Sequence, residues 1–392
     1  MIKLKPAAVI LDINFSGYGV VRSLHGHQIE LIAIKPSNSF IPESRSRLVD
    51  KIITYSNENE LFDLLSDFKY YKQNPILFLN SDYYVEYIAS DWQYFKNIFN
   101  IILPDNQTIK LLLNKDLFPE FAVRNKILIP KTVTIDHNDN NNSKIENLSF
   151  PVVLKPFYRK KNWDNAGLPK VFYCKNLNEF QESYFMAIEV EKELIVQEYI
   201  PGDDSDIYFC LVYYDSNSSC KGSFTGKKLR QWPVDTGSTA SATISREEFV
   251  KSETVRIFDK LKYKGFGSIE YKRHSVNGRF YLMEPTVGRL NQQEFVSTVH
   301  GINLPLICYN SLTGLNLPFS KVKHEKTIYI DEWSELKSAI YHIKYKKLTL
   351  THWFLSVKDK KSFRYWNIKD PLVFALSIIR FFGSIVKNYK KI

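Results

Sequence analysis

The sequence predicts an α/β N-terminal domain, then α+β architecture in two subdomains, then a basic C-terminal extension. Three observations carry this reading. Residues 1–104 alternate short apolar runs with helix-like runs, the pattern of a parallel sheet covered on both faces. After residue 150 the β-rich runs succeed one another, and one pair is joined by Asn277-Gly278, the pattern of antiparallel strands. Positive charge collects at the end. Lys321–Ile392 hold 16 Lys and Arg against 6 Asp and Glu, whereas the other 320 residues hold 37 against 36.

In chain order, AAVILDI reads as a strand, VVRSLHG as a short helix, and IELIAIK, LVDKIITY and ILFLNS as further strands, with LFDLLSDF helical between the last two. Asp105 or Asn106 caps a helix over 106–113, and a second helix ends before Pro130 starts a strand. Residues 136–147 are polar and unpatterned, so they read as a surface loop. FPVVLKPF (150–157) is β-rich, and 158–170 read as a mobile loop. LNEFQESYFMAIE is a helix, ELIVQEYIPG a strand that stops at Pro201-Gly202, and IYFCLVYYD and GSFTGKKLRQWP are strands. EEFVKSETVRIFDKLKY is an amphipathic helix, and GSIEYKRHSVNGRFYLMEP is a hairpin turning at Asn277-Gly278. The domain limits expected are 1–105, 106–200, 201–318 and 319–392.

The composition narrows the function. The net charge of +11 belongs to the tail and not to the body, which argues against a nucleic-acid-binding enzyme. Cys174, Cys210, Cys220 and Cys308 form no CxxC pair, so a zinc ribbon and a redox dithiol are not indicated. Scattered cysteines and the absence of a signal-peptide pattern predict a reduced, cytoplasmic protein.

The residues that carry chemistry are charged ones on strands. Glu270 and Glu284 face each other across the predicted hairpin, where Glu270 opposes about position 285. Two adjacent carboxylates repel unless a cation sits between them. Mg²⁺ takes one or two carboxylates plus phosphate oxygens, so the pair suits a nucleotide-bound metal; two solvated acids are the plainer alternative. Lys155, inside VVLKP, and Lys115, at the start of a helical segment, are placed to reach phosphates, with snorkelling surface lysines as the alternative. In VQEYIPGDDSDIYF, Glu198 is an acceptor for an exocyclic amine, and Asp204 or Asp206 for ribose hydroxyls. Asn14-Phe15-Ser16-Gly17-Tyr18-Gly19 gives GxG without a third Gly, which reads as a tight strand-to-helix turn and not as a nicotinamide site. Lys228 and Arg230, two apart on a strand, are expected to face one side and grip a carboxylate or phosphates.

The run Lys115, ILIPKT, FPVVLKP, VQEYIPG, GSIEYK and MEPTVGR resembles the ATP-grasp superfamily in order and separation. FTGKKLRQWPVDTGSTASA (224–242) and DPLVFALS (370–377) are similar to segments of its carboxylate–amine ligase branch, which includes D-aspartate ligase and enzymes of bacterial surface-polysaccharide gene clusters. The resemblance implies a fold whose two subdomains clasp ATP, with one or two Mg²⁺, replaceable by Mn²⁺. It implies that Lys115 and Lys155 hold phosphates, that Gln197, Glu198 and Ile200 form the adenine hinge, and that Asp204 or Asp206 takes the ribose. Glu270 and Glu284 correspond to the metal carboxylates. The family's ExNxR continuation departs here to Glu284-Pro285-Thr286-Val287-Gly288-Arg289, so Asn291 is the substitute metal oxygen and Arg289 the cation at the moving phosphoryl group. The activity implied is ADP-forming amide synthesis through an acyl phosphate, with 158–170 as a lid.

The partners expected are a small-molecule carboxylate and an amine, an amino acid or a uronic-acid sugar precursor, with no nucleic acid. A surface-glycan or peptidoglycan precursor is the favoured substrate. The competing readings are a catalytically weakened ATP-binding regulator and an ATP-grasp ligase of small-molecule metabolism. LVFALSIIRFFGSIV (372–386) holds one charge, Arg380, and is too short to span a bilayer. It reads either as an interfacial helix that brings 358–392 to the inner face of the plasma membrane or as a helix packed on the body.

Overall fold

The computed structural model describes residues 5–38, 40–137, 142–157, 161–318 and 327–389, and the side chains of 142, 143, 161, 164 and 385–389 lie outside the description. By packing, the chain divides into two units. Unit 1 comprises 1–109, 208–269 and 286–392, and unit 2 comprises 110–207 and 270–285.

Unit 1 opens with β1 (Ala8–Leu11), α1 (Phe15–Leu24), β2 (Leu31–Pro36), β3 (Lys51–Tyr55), α2 (Glu58–Ser66), β4 (Ile76–Leu79), α3 (Asp82–Ser90) and α4 (Trp92–Phe95). The strands form a parallel sheet in the order β3-β2-β1-β4. All four residues of β1 are buried, as a central strand covered on both faces requires. Helix α1 starts earlier than expected because Asn14 caps it: its Oδ1 accepts from the N–H groups of Ser16 at 2.8 Å and Gly17 at 3.2 Å. The GxG pair therefore lies inside the helix and not in the turn. A Cβ on Gly17 would stand 2.2 Å from the Asp12 carbonyl oxygen, so close packing of helix on strand requires glycine there.

The chain then runs through α5 (Asn106–Leu113) into unit 2: α6 (Leu117–Arg124), β5 (Thr132–Asp136), α7 (Asn142–Ile145), β6 (Val152–Pro156), α8 (Lys161–Asn165), β7 (Phe172–Cys174), α9 (Leu177–Ile188) and β8 (Glu193–Glu198). Its antiparallel sheet is ordered β5-β8-β6-β7. Val152, Leu154, Leu194 and Val196 bury one face of that sheet with Phe180 and Trp163. Trp163 is fully buried and its Nε1 donates to the Pro169 carbonyl at 2.8 Å. The expected loop 158–170 is thus helical and anchored over part of its length, and 158–160 lie outside the described residues.

The rest of the chain holds β9 (Ile207–Tyr214), β10 (Cys220–Trp232), β11 (Ser238–Ile244), α10 (Glu248–Lys260), β12 (Gly265–Arg273), β13 (Phe280–Val287), α11 (Glu294–Val299), α12 (Leu304–Thr313), β14 (Thr327–Ile330), α13 (Glu332–Lys344), α14 (Leu350–Ser356), β15 (Lys360–Phe363) and α15 (Pro371–Tyr389). Seven strands form one sheet, ordered β13-β12-β9-β10-β11-β14-β15. The C-terminal segment therefore supplies two strands of the sheet, and Tyr329, Tyr365 and Val373 enter the main core beside Ile10, Phe78 and Phe209. The β12–β13 connection is longer than the two-residue turn expected. It runs from residue 274 to 279, because the His274 ring accepts from the N–H groups of Val276 and Asn277, and the Asn277 side chain from that of Arg279.

One face of α15 packs on the body. Val373 and Ser377 are buried, Trp333 stacks on Phe374 and Phe381, and its Nε1 donates to Ser377 Oγ at 3.0 Å. Among the described residues no helix is long and apolar enough to cross a membrane.

Candidate active site

Lys115, Lys155, Gln197, Glu198, Ile200, Asp204, Asp206, Glu270 and Glu284 all belong to unit 2. The pleat of β6 sends Val152 and Leu154 into the core, so Lys155 projects from the opposite face. Burial lowers the Lys155 pKa, Glu284 opposes that shift, and Lys170 adds to it. Lys115 sits at the mouth of α6, held by the Asn114 side chain, whose Oδ1 accepts from the N–H groups of Asp116 and Leu117. Its ammonium turns to the carbonyl oxygens of Pro156, at 3.5 Å, and Phe157, at the end of β6. Burial of the ammonium and then the charge of Lys155 lower its pKa to about 8, against the pull of Glu284. The Lys155 charge disfavours the Lys115 ammonium, the Glu284 carboxylate offsets part of that cost at both lysines, and a further anion would stabilise the charged pair.

The carboxylate pair follows from strand register. The Gly288 N–H donates to the Phe266 carbonyl at 2.9 Å. At the turn end the His274 N–H donates to the Arg279 carbonyl at 2.9 Å, a register one residue different, so the ladder slips between the two bonds and Glu270 lies beside residues 283 and 284 of the neighbouring strand. Among the described residues no group of three or more His, Cys, Asp or Glu could hold a metal ion. A cation between these two carboxylates would therefore take its remaining ligands from phosphate oxygens and water, as Mg²⁺ does.

The strand end at β8 is arranged differently from the expectation. Gln197 pairs with Val153 and shares the face of Lys155, and its Nε2 donates to Thr132 Oγ1 at 2.9 Å. Glu198 pairs with Val152, on the other face, and accepts from the Ser149 N–H at 2.8 Å. The Glu198 carboxylate is thus taken up by the Ser149 amide, and the Glu198 and Tyr199 N–H groups donate to the Lys131 and Pro151 carbonyls at 2.9 and 3.0 Å. Ile200 and Asp204 are buried. Asp206 accepts from Arg273 at 2.8 Å and from the Asp203 N–H at 3.1 Å.

Arg289, Asn291, Lys228 and Arg230 lie in unit 1. Arg289 makes a two-pronged pair with Asp82, at 2.5 and 3.0 Å. Asn291 Oδ1 accepts from the Gln293 N–H at 2.9 Å, and its Nδ2 donates to Ser268 and Gln293. A register slip in the β10–β11 ladder falls between Lys228 and Arg230, so the simple two-residue alternation does not carry from one to the other. Arg230 is buried in an ion pair with Glu335 and donates to Ser356 Oγ at 3.0 Å, and Lys228 Nζ donates to Gln231 at 3.3 Å.

Asp12, Asn80 and Asp82 escape the sequence reading, which marks only the turn at Asn14 as one that could touch substrate. Asp12, Asn14, Asn80 and Asp82 follow the carboxyl ends of β1 and β4, where the strand order β3-β2-β1-β4 reverses direction. In open parallel sheets that crevice is where ligands bind. Asp12 has φ +67°, and burial raises its pKa to about 6, with Asn14 lowering it, Glu43 raising it and Lys35 lowering it. The one signal available was AVILD, an acid directly after an apolar strand.

The chain is similar to D-aspartate ligase from Enterococcus faecium (strain Aus0004), 24% identical over 315 residues, covering 76% of this chain and 74% of the relative. It is also similar to D-alanine–D-alanine ligase from Pelagibacter ubique (strain HTCC1062), 24% identical over 191 residues, 44% of this chain and 57% of the relative. No family model matches. Among solved structures it resembles N5-carboxyaminoimidazole synthetase from Staphylococcus aureus complexed with ADP, with TM-score 0.61, 15% identity and coverage of 81% and 80%. It also resembles the biotin carboxylase domain of 2-oxoglutarate carboxylase from Hydrogenobacter thermophilus, bound to MgADP, with TM-score 0.58, 14% identity and coverage of 81% and 72%. The chain thus has the fold of ATP-grasp proteins and over three quarters of its length is similar to a carboxylate–amine ligase of that superfamily.

Proposed function

We propose that this protein joins a small carboxylic acid to an amine at the expense of ATP, releasing ADP and phosphate. The observation that carries the proposal is the grouping of Lys115 and Lys155 around Glu284, with Glu270 on the neighbouring strand. Two cations bind a triphosphate, and two carboxylates bind its metal. Bound Mg²⁺, or Mn²⁺ in its place, would supply charge neutralisation at the phosphates. The backbone of 198–200 reads the adenine edge, and Asp204 or Asp206 faces the ribose.

A carboxylate is a poor electrophile, so the γ-phosphoryl group is passed to it and the acyl phosphate is attacked by the amine. Of the unit 1 residues, Arg289 is the cation suited to charge on a phosphoryl group and Lys228 the one suited to a substrate carboxylate. Arg230, committed to Glu335, positions β10 for that task. Asn291 would offer the metal a further oxygen. The crevice beside Asp12 and Asn80 receives a substrate group, and a carboxyl whose pKa is near 6 is suited to take a proton from an ammonium. An amino acid or a uronic-acid precursor of a surface glycan or peptidoglycan fits this chemistry, which the similarity to D-aspartate ligase supports.

The test is ADP release from ATP in the presence of amino acids and uronic acids, singly and in pairs. Release that requires both a carboxylate and an amine is expected. Tight ATP binding with no turnover under any pair would instead support the weakened, regulatory reading.

A further inference from the structure

We propose that α13, the 366–368 turn and α15 together form a docking surface for an anionic lipid bilayer, which the protein binds without crossing. The surface is composite. Trp333 of α13 stacks on Phe374 and Phe381 of α15, Lys337 lies 5.3 Å from the Phe381 ring, and Trp366 meets Phe374 edge-on. These contacts join the elements into one layer. On its outer side Leu336, Ile340, Trp366, Ile368, Ile379 and Phe382 are exposed, Ile368 by 84%, Ile379 by 65% and Phe382 by 57%. Large aliphatic side chains at that exposure mark an interaction site when they cluster.

Charge selects the partner. Among the described residues of α13, the 366–370 turn and α15 the acids turn inward, and Asp359, beside Lys358, is half-buried. Asp331, Glu335 and Asp370 are buried, and Glu332 accepts from the N–H groups of Tyr365 and Trp366. Lys344, Lys358, Lys369 and Arg380 are exposed. The outward face is thus apolar with a basic rim, while the neutralising carboxylates are spent inside the fold. A basic rim attracts anionic headgroups, and exposed Ile and Phe side chains enter the acyl boundary. A nucleic acid would use the basic groups and stack on Trp366, and would leave Ile368 and Ile379 without partners.

Flotation of the full-length protein with phosphatidylglycerol–phosphatidylcholine vesicles decides the matter. Binding at low salt, its loss at high salt, and little binding to pure phosphatidylcholine are expected. The double variant Ile379→Glu/Phe382→Glu should bind at least about 10-fold more weakly. Because both positions are exposed, its thermal midpoint should stay within a few degrees of the parent. Ile368→Glu, outside the helix, gives the same comparison should the double variant fold poorly. ATP binding should be unchanged in all three. The proposal is overturned if the parent protein stays unbound at low salt, or if the variants bind as well as it does. It is also overturned if single-stranded DNA displaces the vesicles, or if light scattering shows a dimer that Phe382→Glu breaks while vesicles remain unbound.

Discussion

Lys115 is the residue whose chemistry gives the most direct test by pH. Its pKa, lowered to about 8 by burial and then by Lys155, means that the free protein loses this cation as pH rises through 8. A bound polyanion favours the charged form and raises the pKa again, so binding takes up a proton above pH 8. ATP affinity, measured by calorimetry at saturating Mg²⁺, should fall several-fold between pH 7 and pH 9. In Lys115→Arg, whose charge does not titrate in this range, the slope should vanish. A slope that survives in Lys115→Arg would assign it to another group. Glu284 is tested by rate. Glu284→Gln keeps the shape and removes the charge, so ATP affinity should change by a small factor while turnover drops roughly 10²-fold or more, as loss of an electrostatic transition-state contact does. Near-normal turnover would remove Glu284 from the metal pair. At this scale the sequence was legible where a residue's neighbours in the chain fix its environment. Lys155 inside an apolar strand and two acids on a hairpin are such cases. Arg230 was not legible, because its partner Glu335 lies 105 residues away, and Glu198 was not, because only the β6–β8 register shows which face it takes.

The elements show the same division. The strands of 1–104 and the long helices were readable from hydrophobic period, because burial on two faces or on one stripe writes itself into sequence. The β12–β13 connection was misread as a two-residue turn because the Asn-Gly signal is strong. The His274 and Asn277 side chains hold a longer one. The role of the C-terminal segment was also hidden, since β14 and β15 are short and their partners are distant in sequence. Asp370 is what ties this segment to the N-terminal sheet. Its carboxylate accepts from Tyr18 Oη at 2.9 Å, Ser46 Oγ at 2.6 Å and the Arg47 N–H at 3.1 Å, fully buried. Asp370→Ala would leave three donors without an acceptor in the interior. A loss of about 3 kcal/mol in unfolding free energy is expected, read as a lower urea midpoint with little change in slope. Asp370→Asn, which keeps an acceptor oxygen, should cost about half as much. Equal stability of Asp370→Ala and the parent would show that the segment is held by its apolar contacts alone.

For the molecule as a whole, the two units differ in what they hold. Unit 2 carries the lysines and the carboxylate pair, and unit 1 carries Arg289, Asn291, Lys228 and the crevice at the ends of β1 and β4. A ligand that binds only the folded protein stabilises it by mass action, about 2.7 kcal/mol at 100 times its dissociation constant. Spread over a unit of this size, that is a rise of several degrees in thermal midpoint. MgATP should therefore raise the midpoint of the parent protein and leave that of Lys155→Ala unmoved. ATP given with a chelator should raise the parent's midpoint by less, because the triphosphate then meets Glu270 and Glu284 without a cation between them. Glu270→Gln/Glu284→Gln removes that repulsion along with the metal ligands. In this variant ATP alone and MgATP should give the same rise. If Mg²⁺ still adds to the stabilisation there, the cation is held elsewhere, and the pairing of the two carboxylates across the hairpin is structural and not part of the nucleotide site.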